Sequence, residues 1–246
     1  MSTHRHLGLV LIAVLTVSQS VNRSLADEFR DVFESNELDA AWKLSRVLSE
    51  GRGAAPDYRV SNGQLHWSYE SGTRNAQQTV LLRDDAQFAP SEAVQVRLFQ
   101  KDFPKGKQDF AGLALSEKGS ALNNRAGLVL FFFEPASGSL RFWHFGSGPV
   151  NPNTRYSATP QLADATTLLL RIARIDPDHV RASWSTDGAH FHWLPPIRFR
   201  EVKAIGLYNG NSRGSAGNRI SFDDFQVCSC PTLAEPEDHA ATTPSW

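Results

Sequence analysis

With 246 residues, 41% of them hydrophobic, and a formal charge of −1, the chain is too apolar for a disordered polymer and too weakly charged for a basic nucleic-acid-binding domain. Two cysteines are too few for a disulfide framework, so stability has to come from a packed core. The length suits one large β domain.

In chain order, His4, Arg5 and His6 form a short basic start, and Leu7 to Val17 is almost unbroken apolar sequence. Ser24-Leu25-Ala26 then places small residues ahead of Asp27. This is the layout of a secretory signal peptide over 1–26, with a mature chain beginning at Asp27 and a secreted or periplasmic destination. The apolar run is short for a bilayer span, an uncleaved anchor being the other reading of the same segment. Cleavage removes Arg5 and Arg23 and no acid, and leaves no membrane-bound segment.

Asp39 to Leu48 has poor apolar spacing and reads as one or two helical turns at most. From there short runs of period two dominate. Ser61-Asn62-Gly63 joins Tyr58–Val60 to Leu65–Tyr69 as a hairpin. Val94, Val96 and Leu98 alternate with Gln95, Arg97 and Phe99. Leu168, Leu170 and Ile172 alternate with Leu169, Arg171 and Ala173; Val180, Ala182 and Trp184 alternate with Arg181, Ser183 and Ser185. Such alternation belongs to strands with one buried face. Turn clusters at Pro135-Ala136-Ser137-Gly138 and Thr186-Asp187-Gly188-Ala189 punctuate them. About a dozen strands and no amphipathic helix predict an all-β, two-sheet antiparallel sandwich over 27–227. After Val227 the composition turns to Pro, Ala, Thr, Glu and Asp, which predicts a disordered tail over 228–246.

Three segments together resemble secreted concanavalin-like domains: Asp27-Glu28-Phe29 to Trp42, Arg181 to Phe191 with Trp184-Ser185-Thr186-Asp187-Gly188 at its centre, and Lys203 to Val227 with Ile205-Gly206-Leu207-Tyr208 and Phe222-Asp223-Asp224-Phe225. The concanavalin A-like lectin and glucanase superfamily, including the accessory domain of family 43 glycoside hydrolases, has this succession. The resemblance implies a jelly-roll fold and a connection to glycans.

Glycoside cleavage on that fold needs two carboxylates facing one groove. The Glu-x-Asp-x-x-Glu strand of family 16 glucanases is absent, and Phe131-Phe132-Phe133-Glu134 offers one acid. Lys203-Ala204-Ile205-Gly206-Leu207-Tyr208-Asn209 looks like the Lys-Ala-Gly-x-Tyr-Asn segment of family 7 polysaccharide lyases, with one extra residue before the Gly. Gln64-Leu65-His66 matches their Gln-x-His, but their Arg-x-Glu-x-Arg strand is not visible. No cofactor is called for. A structural calcium ion, common where the first and last strands of such domains meet, would draw on Asp27, Glu28, Asp31, Asp223 and Asp224. Phe222 and Asp224 sharing one face would turn one of those acids inward; pairing with arginine is the alternative. Cys228 and Cys230 supply too few ligands for a metal, and their redox state is open.

The hairpin Gly127 to Gly146 is the most informative stretch. A turn at Pro135–Gly138 sets Glu134 opposite Ser139, Phe132 opposite Arg141 and Leu130 opposite Trp143. One face then carries Val129, Phe131, Phe133, Leu140, Phe142 and His144 as core. The other carries Phe132, Glu134, Arg141, Trp143 and Phe145, aromatic platforms beside a guanidinium that can clamp an acid. Coverage of these rings by loops or a second chain is the alternative. Tyr208 and Asn209 are the next place to look should Trp143 be buried. Arg97, Arg171 and Arg181 lie on the polar sides of their strands. These observations predict a secreted, non-catalytic carbohydrate-interacting domain, for acidic polysaccharide. A hydrolase or lyase on the same fold is the rival, and a structural or protein-interaction module comes third; nucleic acid is not an expected partner.

Overall fold

The computed structural model describes residues 29–49, 56–69, 77–99, 109–146, 153–160, 162, 166–211 and 218–229. These form sixteen strands. The first eight are β1 (Arg30–Asp31), β2 (Lys43–Ser49), β3 (Asp57–Ser61), β4 (Gln64–Tyr69), β5 (Gln77–Arg83), β6 (Glu92–Phe99), β7 (Asp109–Ser116) and β8 (Leu128–Glu134). The remainder are β9 (Ser139–Phe145), β10 (Thr154–Ala158), β11 (Thr167–Arg174), β12 (His179–Ser185), β13 (His192–Trp193), β14 (Ile197–Arg198), β15 (Ala204–Asn211) and β16 (Asn218–Ser229). None of the described residues is helical.

They pair into two antiparallel sheets. The nine-stranded sheet runs β13-β12-β11-β6-β16-β4-β3, with β1 on β16 and β14 on β12; the seven-stranded sheet runs β10-β9-β8-β7-β15-β5-β2. Face-to-face packing of the two is the jelly-roll sandwich predicted from the period-two runs. In the nine-stranded sheet Ile172, Leu170 and Leu168 stand opposite Val94, Val96 and Leu98, all fully buried. Across the layer they share one core with Leu81, Leu113, Phe131, Phe142 and Leu207 of the other sheet.

Local chemistry explains the turns. Asn62 (φ 55°) and Gly63 (φ 70°) both adopt the left-handed conformation that a two-residue hairpin turn demands, and Ser61 pairs with Gln64 across them. The Thr186–Ala189 turn is organised by Asp187, whose carboxylate accepts the amides of Ala189 and His190 at 2.8 Å each and the Ser185 hydroxyl at 2.9 Å. His190 Nδ1 lies 2.7 Å from it, and these bonds hold the acid far below the usual carboxylate range.

Three expectations are corrected. The stretch from Asp39 to Leu48 is not helical: Lys43 onward is strand, because pairing with β5 places Val47 on an apolar face, and a register shift between Arg46 and Leu48 disguises the period. Phe222 and Asp224 do not share a face. A bulge between Asp223 and Gln226, with Asp224 at φ 55°, puts both Phe222 and Phe225 in the core and leaves the two acids on the polar side. The last strand also runs past Val227, since Cys228 and Ser229 pair with Ala93 and Glu92. The expected signal peptide over 1–26 and the rest of the expected tail, 230–246, lie outside the described residues.

Candidate functional site

The hairpin register is the one read from sequence. Glu134 pairs with Ser139, Phe133 with Leu140, Phe132 with Arg141 and Leu130 with Trp143. Val129, Phe131, Phe133, Leu140 and Phe142 face the common core, and His144 is buried with them, its ring edge-on to Phe199 at 5.4 Å. The opposite face of the seven-stranded sheet carries a second apolar cluster of its own, built from Val80, Leu82, Leu130, Phe132, Phe145 and Tyr208 among others.

That second cluster is mostly closed. Phe132 and Tyr208 are 1% exposed, Phe145 is 9% exposed and Glu134 is 6% exposed. Phe132 sits at the centre, edge-on to Phe110 at 5.4 Å, Tyr208 at 5.3 Å and Trp143 at 5.1 Å. At one end the connection Glu117–Gly127 crosses the sheet: Leu122 packs on the cluster and its amide donates to Ser45 Oγ at 3.2 Å. Arg125 of the same connection lies 4.7 Å from the Phe145 ring. Phe132, Phe145 and Tyr208 are therefore packing residues in this conformation, as the loop-covered alternative holds. Asn209 cannot act with Tyr208, because adjacent residues of β15 point to opposite faces; Asn209 is fully buried on the inner one, level with Thr79 and Ala111.

Trp143 and Arg141 remain partly exposed, side by side on β9. Arg141 is anchored from the hairpin end, its Nε donating to Glu134 Oε2 at 2.7 Å while its Nη2 contacts the same oxygen. Ser137 donates to that oxygen as well, at 2.9 Å. The Arg141 guanidinium carbon lies 5.6 Å from the Trp143 ring, and that of Arg155 lies 5.0 Å from it. Arg155 pairs directly with Trp143 across β9 and β10 and is exposed. Sequence reading missed Arg155. Its signal was the alternation of Arg155 and Ser157 with Tyr156 and Ala158, too short to stand out beside the longer runs.

The acids proposed for calcium are drawn to arginines. Asp31 accepts Phe33 N at 3.0 Å and Trp42 Nε1 at 2.8 Å, and stands 3.6 Å from Arg83. Asp224 pairs with Arg30 at 2.7 Å and Arg97 at 3.6 Å, and burial pushes Asp223 above its usual range. Asp27 and Glu28 lie outside the described residues. Among the described residues no three His, Cys, Asp or Glu side chains converge to hold a metal. Arg83 gathers Asp39 and Asp85 and stacks on Phe29 at 4.6 Å, beside an open depression of about 300 Å³. The Cys228 sulfur lies 3.7 Å from the Ala93 carbonyl oxygen, and Cys230 lies outside the described residues.

Neither enzyme constellation assembles among the described residues. His66 points out from the nine-stranded sheet, bonded to Ser221 Oγ at 2.8 Å, whereas Tyr208 points out from the other sheet, so the lyase-like pair is split across the sandwich. Among the described strand residues on the outer face of the seven-stranded sheet, Glu134 is the one acid, and Arg141 occupies it. Arg97, Arg171 and Arg181 lie on the outer face of the nine-stranded sheet, as read from sequence, and so cannot join Trp143.

No protein-family profile matches the chain, and no curated protein matches it in sequence. Solved structures do. A laminarinase from Flavobacterium sp. UMI-01 is 10% identical with a TM-score of 0.57, over 81% of this chain and 98% of that one. An endo-1,3-beta-glucanase from Streptomyces sioyaensis is 16% identical with a TM-score of 0.53, over 81% and 94%. Rv0315, described as a pseudo beta-1,3-glucanase of Mycobacterium tuberculosis, is 12% identical with a TM-score of 0.54, over 82% and 98%. The fold is the concanavalin-like jelly roll that these proteins share. Among the described residues no helix is long and apolar enough to cross a membrane.

Proposed function

We propose that the chain is an exported, non-catalytic domain that binds acidic polysaccharide at Trp143, Arg141 and Arg155. The observation that carries this reading is the half-exposed Trp143 flanked by two guanidiniums, at 5.6 Å and 5.0 Å, on the outer face of the seven-stranded sheet. An indole offers an apolar platform to a sugar ring, and a neighbouring guanidinium offers a bidentate donor to its carboxylate. Glucan-degrading proteins on the same fold support glycans as the ligand class. Hydrolysis by acid and nucleophile, or acid and base, requires two carboxylates astride the bond, and on this face Glu134 is already neutralised by Arg141.

The test is titration of the mature protein with neutral and uronic-acid oligosaccharides, with reducing ends assayed in the same samples. Binding of the uronic-acid series without release of reducing ends is the expected result. New reducing ends on any of the glycans would move the chain to the hydrolases, and no binding in either series would leave the structural role.

A further inference from the structure

The outer face of the nine-stranded sheet carries a second arrangement of cations on rings, on the side of the sandwich away from Trp143. The Arg171 guanidinium carbon lies 3.7 Å from the Phe191 ring centroid, and its Nε and Nη2 both donate to Gln95 Oε1, at 3.1 Å and 2.7 Å. The Arg181 guanidinium carbon lies 5.3 Å from the Trp193 ring, and its Nε donates to the Leu194 carbonyl at 2.8 Å. Both side chains are preorganised by a neutral acceptor and a ring. Arg30, Arg83, Arg97 and Arg141 each have a carboxylate partner; among the described residues Arg171 and Arg181 have none.

Register brings the two together. Ser183 stands opposite Arg171 on one side and opposite Trp193 on the other. Arg181 is two residues from Ser183 on the same strand and the same face, so it is a diagonal neighbour of Arg171, roughly 7–8 Å away along the sheet. Ser183 is fully buried among these side chains, and its hydroxyl has no hydrogen-bond partner. A buried hydroxyl left unbonded is costly unless something completes it.

We infer that Arg171 and Arg181, flanking the buried Ser183, form a second anion site, which takes the carboxylate of a uronic-acid-containing polysaccharide. Two guanidiniums without a carboxylate partner match a planar carboxylate through the N–H groups that Gln95 and Leu194 leave over, and the half-buried Phe191 and Trp193 beside them suit a ligand that is a ring bearing an acid. The assignment rests on the glycan-binding reading for its ligand class and on a different face for its residues. With both sites filled, the domain holds two polysaccharide strands on opposite sides and cross-links them.

Calorimetric titration with a short oligogalacturonate, unable to reach around the sandwich, tests this, with a sulfated neutral oligosaccharide as the contrasting ligand. Wild type is expected to bind two oligomers per chain. Arg171→Gln with Arg181→Gln should remove one of them, while Trp143→Ala removes the other. Arg171→Lys with Arg181→Lys keeps the charge and loses the forks, and should weaken the second site by roughly tenfold. Melting curves identify the folded variants, and the lysine pair decides if the glutamine pair does not fold. Full stoichiometry and affinity in the folded glutamine pair, or unchanged affinity in the lysine pair, overturns the second site. So does binding of the sulfated sugar, but not the uronate, at these arginines. A single site lost in Trp143→Ala and indifferent to Arg171 and Arg181 overturns this inference and leaves the first reading standing. The reverse pattern upholds this one and overturns the other, and no binding by wild type overturns both.

Discussion

Glu134 and Arg141 are diagonal partners across the β8–β9 hairpin, and their ion pair sets how much positive charge the Trp143 site presents. Glu134 is almost fully enclosed while Arg141 is about a third exposed, so the acid acts as a buried anchor for a cation at the surface. Glu134→Gln keeps the shape and releases the guanidinium. It should lower stability by about 1–3 kcal/mol, the cost of losing a charge-assisted bond at a buried group, and tighten binding of acidic oligosaccharides. Urea denaturation and titration of the same variant check both halves. Weaker binding would mean that Arg141 must be held by Glu134 to meet its ligand.

His144 predicts acid sensitivity. Its Nε2 has no hydrogen-bond partner, and burial holds its pKa below the ordinary 6.5, against a small opposing pull from Glu117. A histidine with a depressed folded pKa leaves the unfolded chain binding more protons. Stability is therefore fully present above about pH 6.5 and is lost as pH falls toward the folded pKa. The urea midpoint of the wild type should drop through this window, and that of His144→Leu should drop less. Parallel curves for the two proteins would assign the acid sensitivity elsewhere.

His190 should titrate in the opposite direction. Its Nδ1 shares a hydrogen bond with Asp187, whose carboxylate raises the imidazole pKa above 6.5. The pair's contribution is whole below the ordinary histidine pKa and fades as pH rises through the raised one. A ring-proton titration followed by NMR should give His190 a midpoint above that of an exposed histidine, and Asp187→Asn should bring it back. Because the same carboxylate holds the turn amides, Asp187→Asn should also lower the melting temperature.

The two faces of β11 give the sharpest stability contrast. Ile172→Asp buries an unpaired charge opposite Val94 and Ala182, and should cost more than about 4 kcal/mol or prevent folding. Arg171→Ser loses a stacked ring and two bonds to one amide oxygen at a half-buried site, about 1–2 kcal/mol. Comparable losses in the two variants would mean that the inward face has been misassigned.

The contrast also marks what could be read from sequence. Alternation in Val94–Leu98, Leu168–Ile172 and Val180–Trp184 settles which residues are inside, because one-residue slips would invert a whole strand. The β8–β9 register was equally legible, because the four-residue turn fixes it. Where a bulge adds a residue, as at Arg46–Leu48 and Asp223–Gln226, alternation misleads, since the phase change depends on a partner strand far away in sequence. Coverage was not legible either. Phe132 and Trp143 share a face, yet one is enclosed and the other half open, a difference set by connections such as Glu117–Gly127 that no local period encodes.

Trp143→Ala brings these points together. Were the ring a free platform, its removal would cost binding alone. Its edge-on contacts with Phe132 at 5.1 Å and Phe145 at 6.0 Å make it also the outer wall of the second apolar cluster. The alanine variant should therefore lose about 1–3 kcal/mol of glycan binding, as for other aromatic anchors, and about 1–2 kcal/mol of stability from the lost ring contacts. Trp143→Phe separates the two effects. Phenylalanine retains an edge toward Phe132 and should recover most of the melting temperature, but offers Arg155 and a sugar ring a smaller face and should recover little of the binding. Arg155→Ala should weaken only the acidic oligosaccharides and flatten their salt dependence, because screening acts on the charge pair and not on ring stacking. Full recovery of binding in Trp143→Phe, with neutral and acidic sugars bound alike in Arg155→Ala, would reduce Trp143 to a packing residue and remove the site from this face.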